Sequence, residues 1–403
     1  YIFIDFFCKI IYILVELLEH GGIINMDNKE KLSMIGHVID TPRVIKNAYN
    51  NRNEYMHDVV DAFVNNDFKK VYFLGSGTSH HVSWVIKNIF VDLLGIEGVA
   101  CEPTIFTHHE ADKQPAFIDK KDICVVAFSQ HGDSISTCEA AKKAKDLGFY
   151  TVGVTEALDS VLEEMVDSYC HLVCEEEEIG PETRGYTETI FQFYILAIEI
   201  AKQKGLISEE EYTKLDNDAL ELANNLSSVI DESIEWYKRN KEEFLKMTKS
   251  SIAGYGNNYP TAMEARLKFF ETYSRPCTGY EMEEQMHGPM RAYNSENYIF
   301  LIASEGNAEL KRLCELVPYY KDAFTEHVFV VTSEDGVEIT DRDLKFSYRT
   351  TDILSPALYI IPFQVLSALI CEDVGIDTKV SPIKKRYVSS HYPSARHGNL
   401  NKK

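Results

Sequence analysis

Positive charge is scarce in this chain. Its 403 residues carry 41 Lys and Arg against 63 Asp and Glu, a formal charge of −22 at pH 7. So acidic a chain excludes a general nucleic-acid surface, which needs clustered Lys and Arg. It also gives an anionic ligand no long-range attraction, so any phosphate site must rest on local backbone amides and hydroxyls. A disulfide framework is missing too. The nine cysteines are odd in number, scattered and without a CxxC, a pattern that fits buried thiols in a reducing cytosol. No Walker sequence, GxGxxG, HxH or HExxH occurs, so nucleotide, dinucleotide and metal sites lack their usual signatures. The adjacent His80 and His81 are no exception. There is no short-period repeat and no low-complexity segment.

What remains is ordinary for a globular protein long enough for two domains: 45% hydrophobic, 26% charged and 11% aromatic. The N-terminus stands apart. Tyr1–Leu18 is very apolar but is broken by Asp5, Lys9 and Glu16. It is short for a membrane span and lacks the basic start of a signal peptide. The reading is that 1–25 is translated upstream sequence and that Met26 is the start. Mass spectrometry of the natural protein showing an N-terminus before Met26 would overturn this.

From there the chain alternates. Asp40-Thr-Pro-Arg reads as a turn into a helix reaching Phe63. Lys70–Leu74, Asp122–Phe128, Phe149–Val154 and Tyr169–Cys174 read as strands, with helices to Leu94, to Leu147 and over Thr187–Lys202. A charged helical stretch, 209–247, reads as a linker. The alternation then restarts with strands at Ser251–Tyr255, Tyr298–Ala303, His327–Thr332 and Leu344–Tyr348, and an apolar helix at Tyr359–Val374. Alternation of this kind implies parallel sheets covered by helices. The expected fold class is α/β, with two flavodoxin-like domains. The expected boundaries are a lead-in at 26–60, a first domain at 61–210, a linker at 211–247, a second domain at 248–390 and a frayed tail at 391–403.

Three segments carry chemistry. Gly75-Ser-Gly-Thr-Ser79 joins a strand to a helix, so free N–H groups and the hydroxyls of Ser76, Thr78 and Ser79 can face an anion. Ser129-Gln-His-Gly-Asp-Ser134 repeats the design after another strand, where α/β sheets bind ligands, and offers Ser129, Gln130, His131 and Ser134. The third segment is Met263–Pro289. There Glu264, Lys268 and Glu271 fall at i, i+4 and i+7 on one helix face, ahead of a His287-Gly288-Pro289 turn. A carboxylate, an ammonium and an imidazole together form a set for moving protons. Glu264 and Lys268 taken alone read as an exposed ion pair, and in this company as supporting groups. Glu175–Glu178 reads as a solvated acidic loop. The role of Arg184 is left open.

These segments resemble, in order, the motifs of the double SIS (sugar isomerase) domain family. The chain is similar to the isomerase half of glucosamine-6-phosphate synthase and to the fructosamine-6-phosphate deglycases, from about Ile35 to Val388. The loops at 76–79 and 129–134, the segment Glu178–Thr187, the helix Glu264–Glu271 and the His-Gly-Pro turn all have counterparts. The spacing of sixteen residues from Glu271 to His287 also matches. The resemblance implies that Ser79, Ser129, Gln130 and Ser134 hold a sugar phosphate, with Thr78 beside them. It implies that Glu271 shuttles a proton between C1 and C2 and that His287 assists ring opening or acts as general acid. It further implies a homodimer with a shared active site, His287 reaching in from a neighbouring subunit, and no cofactor or metal.

Departures refine the expectation. His131 and Asp133 replace the family's serine and glutamate. At the place of the synthase's imine-forming lysine stands Arg386, next to Lys385, and arginine forms no Schiff base. No glutaminase half precedes the first domain, so glutamine-dependent synthesis is not expected. The expected activity is that of a cytoplasmic phosphosugar isomerase or deglycase, which binds neither nucleic acid nor membrane. Its substrate is a ketose 6-phosphate or fructosamine 6-phosphate, and its products an aldose 6-phosphate and an amine. The alternatives are plain aldose–ketose isomerisation, amination or deamination of a hexose phosphate, and a non-catalytic sugar-phosphate sensor.

Overall fold

Two five-stranded parallel sheets form the framework of the computed structural model, which describes residues 32–305, 308–381 and 388–393. The proposed upstream segment 1–25, the tail Ser394–Lys403, and Lys385 and Arg386 lie outside the described residues. The first sheet is built from β1 (Lys70–Leu74), β2 (Glu97–Cys101), β3 (Ile123–Phe128), β4 (Tyr150–Thr155) and β5 (Ser168–His171), in the order β2-β1-β3-β4-β5. The second contains β6 (Lys249–Gly254), β7 (Cys277–Glu281), β8 (Asn297–Ala303), β9 (Val328–Thr332) and β10 (Leu344–Lys345), in the order β10-β9-β8-β6-β7. Counted within its own half, each sheet has the 2-1-3-4-5 order of the flavodoxin-like fold. The central strands β3 and β8 are buried at every residue. This is why they read as unbroken apolar runs rather than alternating ones.

The helices differ from expectation at the N-terminus. Helix α1 runs unbroken over Met34–Asn50, capped by Ser33, with Pro42 inside it and buried. Proline removes only one backbone bond, and α1 is held by packing on two long helices, α5 (Arg184–Gln203) and α6 (Glu209–Phe244). Helix α2 (His57–Asn65) follows separately. Helices α3 (Thr78–Leu94) and α4 (Ile135–Leu147) leave β1 and β3 as expected. Helix α5 is buried on almost every side, with Phe191, Phe193 and Tyr194 in the core. The 209–247 stretch is more than a linker. It opens with a Ser208/Glu211 capping box, and its apolar face, including Leu222, Leu226 and Trp236, is buried.

Helix α7 (Tyr259–Glu271) and helix α8 (Ala308–Ala323) flank the second sheet. The closing apolar stretch is a short turn of helix at Ser355–Tyr359 followed by α9 (Ile361–Val374). Residues 352–374 are long and apolar enough to cross a membrane, but most of that stretch is buried inside the protein.

Two packing features place the site. Helices α3 and α7 lie antiparallel: Asn88 donates to Asn257 at 2.7 Å, Trp84 meets Tyr259 edge-on at 5.0 Å, and His81 meets Glu264 at 2.7 Å. The last turns of α7 therefore arrive at the first turn of α3. The second feature is at the C-terminus, where His391 and Tyr392 do not belong to a loose tail. The Ile135 N–H donates to the Ser390 carbonyl at 3.0 Å and the Tyr392 N–H to the Asp133 carbonyl at 2.8 Å. Ser134 and His391 form an antiparallel bridge.

Candidate active site

The two loops at the carboxyl edge of the first sheet are shaped by glycine. Gly77 precedes α3 with φ +60°, and Gly132 turns the second loop with φ +66°. Both values lie in the left-handed region that side chains resist. A Cβ on Gly132 would also stand 2.3 Å from the Ser160 Cβ. Neither α3 nor α4 has a side-chain cap at its N-terminus. The Ile135 N–H is taken by the Ser390 carbonyl and the His80 N–H by Gly77, which leaves the N–H groups of Thr78, Ser79, Ser136 and Thr137 to face an anion. Between the loops lies a crevice lined by Thr78, Ser79, Ser129, Gln130, Gly185 and Tyr186. Ser134 adjoins it, its N–H donating to the Ser129 Oγ at 3.4 Å. Ser76 is exposed and does not line the crevice. His131 points elsewhere: its Nε2 is 3.2 Å from the Glu182 Oε1.

Beside the crevice sits a charged cluster with Lys268 at its centre. Glu264 and Lys268 are fully buried, so they are not an exposed pair. The Lys268 ammonium donates to the Glu271 Oε2 at 2.6 Å, the Glu182 carbonyl at 2.9 Å and the Thr78 Oγ1 at 3.2 Å. It also lies 3.4 Å from the Glu264 Oε1. Thr78 donates to the Glu264 Oε1 at 3.0 Å, and His81 Nδ1 meets its other oxygen at 2.7 Å. Burial opposes the charge on Glu264, but Lys268, His81 and Thr78 hold its carboxyl below the usual range. Burial likewise opposes the ammonium of Lys268, but Glu264 and Glu271 hold it well above the usual lysine range. Glu271 differs. Burial raises its pKa, and Lys268 offsets this only in part, although 34% of its side chain is exposed. The cluster is therefore a fixed cation carrying a carboxylate of raised basicity, joined to the crevice through the lining residue Thr78.

His287 is not in this cluster. It follows β7, is exposed, and its side chain makes no hydrogen bond with described residues. Because β6 and β7 run parallel, α7 returns the chain to the amino edge of the second sheet. Glu271 closes that return, while His287 lies at the carboxyl edge, so one chain does not unite the two.

Sequence reasoning missed Glu182, His81 and Glu177. His81 was legible in principle, three residues after Thr78 on the same helix face. Glu177 is no solvated acid: it is buried and accepts from the backbone of Thr183 and Gly185 at the start of α5. Arg184 turns away from the crevice and pairs with Asp40 at 2.5 Å. Beside the crevice-lining Thr189, the Glu188 carboxyl is fully buried and its oxygens accept no well-formed hydrogen bond from described residues. Burial pushes its pKa up to about 8. Among the described residues no group of three His, Cys, Asp or Glu is arranged to hold a metal ion.

Comparison with known proteins fits this geometry. The SIS domain profile matches residues 66–199 and 245–368. A glutamine–fructose-6-phosphate aminotransferase (isomerizing) of Thermococcus kodakarensis is 27% identical over 350 residues, 83% of this chain and 54% of that protein. The chain thus spans about half the length of the curated relatives it matches. Among solved structures, a candidate phosphosugar isomerase from Clostridium difficile 630 superposes with a TM-score of 0.78 at 28% identity, covering 88% of this chain and 96% of that one. The C-terminal domain of glucosamine-fructose-6-phosphate aminotransferase from Francisella tularensis shares the fold, with a TM-score of 0.75 at 17% identity over 87% of this chain and 98% of that one.

Proposed function

Since the chain belongs to the SIS domain family, we propose that it is a phosphosugar isomerase of the deglycase type, acting on a fructosamine 6-phosphate or the parent ketose 6-phosphate. One observation carries the reading. A carboxylate of raised pKa, Glu271, is pinned by the buried Lys268 beside a crevice flanked by two uncapped helix N-termini. The phosphate sits in the crevice, held by Ser79, Ser129, Gln130, Ser134 and the first-turn amides. The Glu271 carboxylate takes a proton from C1 while His287 from a second copy of the chain, as general acid, gives one to the C2 carbonyl oxygen, forming an enaminol or enediol. It then returns the proton to C2. With an amine on C1, the nitrogen first releases its extra proton to water, and its lone pair then forms an iminium as C2 is protonated. Water adds to C1, the C–N bond breaks, and an aldose 6-phosphate and free amine leave. His287 from a second copy of the chain supplies the acid for ring opening. Its distance from Glu271 within one chain supports this role.

The test is incubation with several fructosamine 6-phosphates and with fructose 6-phosphate, scoring free amine and aldose phosphate by mass spectrometry. Amine release from the fructosamines is expected. Aldose formation from fructose 6-phosphate alone would make the protein a plain isomerase. No turnover on any of them would overturn the catalytic reading.

A further inference from the structure

Three carboxylates, those of Glu264, Glu271 and Glu182, stand near a crevice read as a phosphate site. Glu264 and Glu271 pair with the buried Lys268, whereas Glu182 meets it through its backbone carbonyl. The Glu182 carboxylate faces an imidazole instead. Its side chain is 14% exposed, and the His131 Nε2 stands 3.2 Å from one oxygen. Its own carbonyl accepts from Lys268 at 2.9 Å, so its backbone is fixed relative to Glu271. His131 comes from the second loop, between Ser129 and Ser134, and braces this carboxylate from the phosphate side. An acid held rigidly between a phosphate loop and a C1 base is placed to meet a positive charge on the substrate's C1 substituent.

We propose that Glu182, braced by His131, is the specificity-determining residue that selects a cationic amine at C1 over a hydroxyl. This rests on the reading of the crevice as a sugar-phosphate site. A charge-assisted hydrogen bond is roughly twice as strong as a neutral one. A hydroxyl at C1 still donates to the carboxylate, but as the weaker, uncharged donor, and this difference sets the discrimination.

The test uses two unreactive polyols that lack the C2 carbonyl: 1-amino-1-deoxyglucitol 6-phosphate and glucitol 6-phosphate. Calorimetry at pH 7 gives a dissociation constant for each. The wild-type protein is expected to prefer the amine by about tenfold or more. Glu182→Gln, close to isosteric, is expected to erase that preference, and His131→Gln to reduce it less. Circular dichroism checks that both variants are folded, and His131→Gln stands as the readout if Glu182→Gln is not. A preference unchanged in the folded variants, or absent from the wild type, overturns this inference while leaving the sugar-phosphate site intact. Failure of both compounds to bind the wild type overturns the site itself, and this inference with it.

Discussion

Glu271 owes its chemistry to a neighbour three residues away and to burial, and both can be tested at the residue. Glu271→Gln keeps the hydrogen bond from Lys268 but removes the base. Turnover is expected to fall by roughly 10²–10⁴-fold or more, with little change in KM. Because the native pKa is raised above the ordinary 4.5, the acidic limb of the wild-type kcat/KM profile is expected above that value. A limb at or below 4.5 would contradict the assignment. Glu188 gives a stability test. Its carboxyl titrates near 8 when folded against an ordinary value of 4.5. Between those values the native protein holds a proton that the unfolded chain has lost, so stability falls as pH rises through that window. Thermal melts of wild type and Glu188→Gln should therefore diverge between pH 5 and pH 8, the variant losing less. Parallel melts would show that Glu188 is not forced to stay neutral. The face shared by Glu264, Lys268 and Glu271 was legible from spacing alone. The burial of the first two was not, because it depends on Thr78 and His81, which reach Glu264 from the other half of the chain.

Among the elements, the 129–134 loop is the most constrained. Gly132→Ala combines a left-handed backbone with a Cβ 2.3 Å from the Ser160 Cβ. It should cost about 1–3 kcal/mol of stability and weaken phosphate-ester binding more than that of a neutral sugar. Denaturant melts and calorimetry with inorganic phosphate would check both, and a variant as stable as wild type would contradict the geometry. The core strands were readable because burial on both faces makes them apolar throughout. The edge strands β2 (Glu97–Cys101) and β7 (Cys277–Glu281) were not, since EGVAC and CTGYE lack such a run and are only partly covered. Pro42 misled for a related reason: local propensity marks a helix start there, but packing of α1 on α5 and α6 outweighs one missing bond. The acidic run at 175–178 hid Glu177, whose role as a cap is set by the fold of the turn after it.

For the whole molecule, the two-fold repetition of strand, small-residue turn and helix was legible, because each half restarts the same apolar rhythm. The strand order within each sheet is not written in the linear pattern, where crossover pairing leaves no trace; it came with the flavodoxin-like expectation, which both sheets meet. The separation of Glu271 from His287 gives the prediction at this scale. If the catalytic pair is shared across copies, Glu271→Gln and His287→Asn proteins are each inactive. Mixing them in equal amounts after exchange of subunits should restore about a quarter of wild-type activity, since half the dimers carry one intact site. No recovery would place both groups in one chain's site. The contact of Ser390 and Tyr392 with the 133–135 loop also bears on biosynthesis. Domains fold as they leave the ribosome, N-terminal first. The first sheet and its loops emerge well before the residues that line the edge of the second loop. A chain lacking residue 388 onward would thus present a 133–135 loop without the backbone partners that Ser390 and Tyr392 supply.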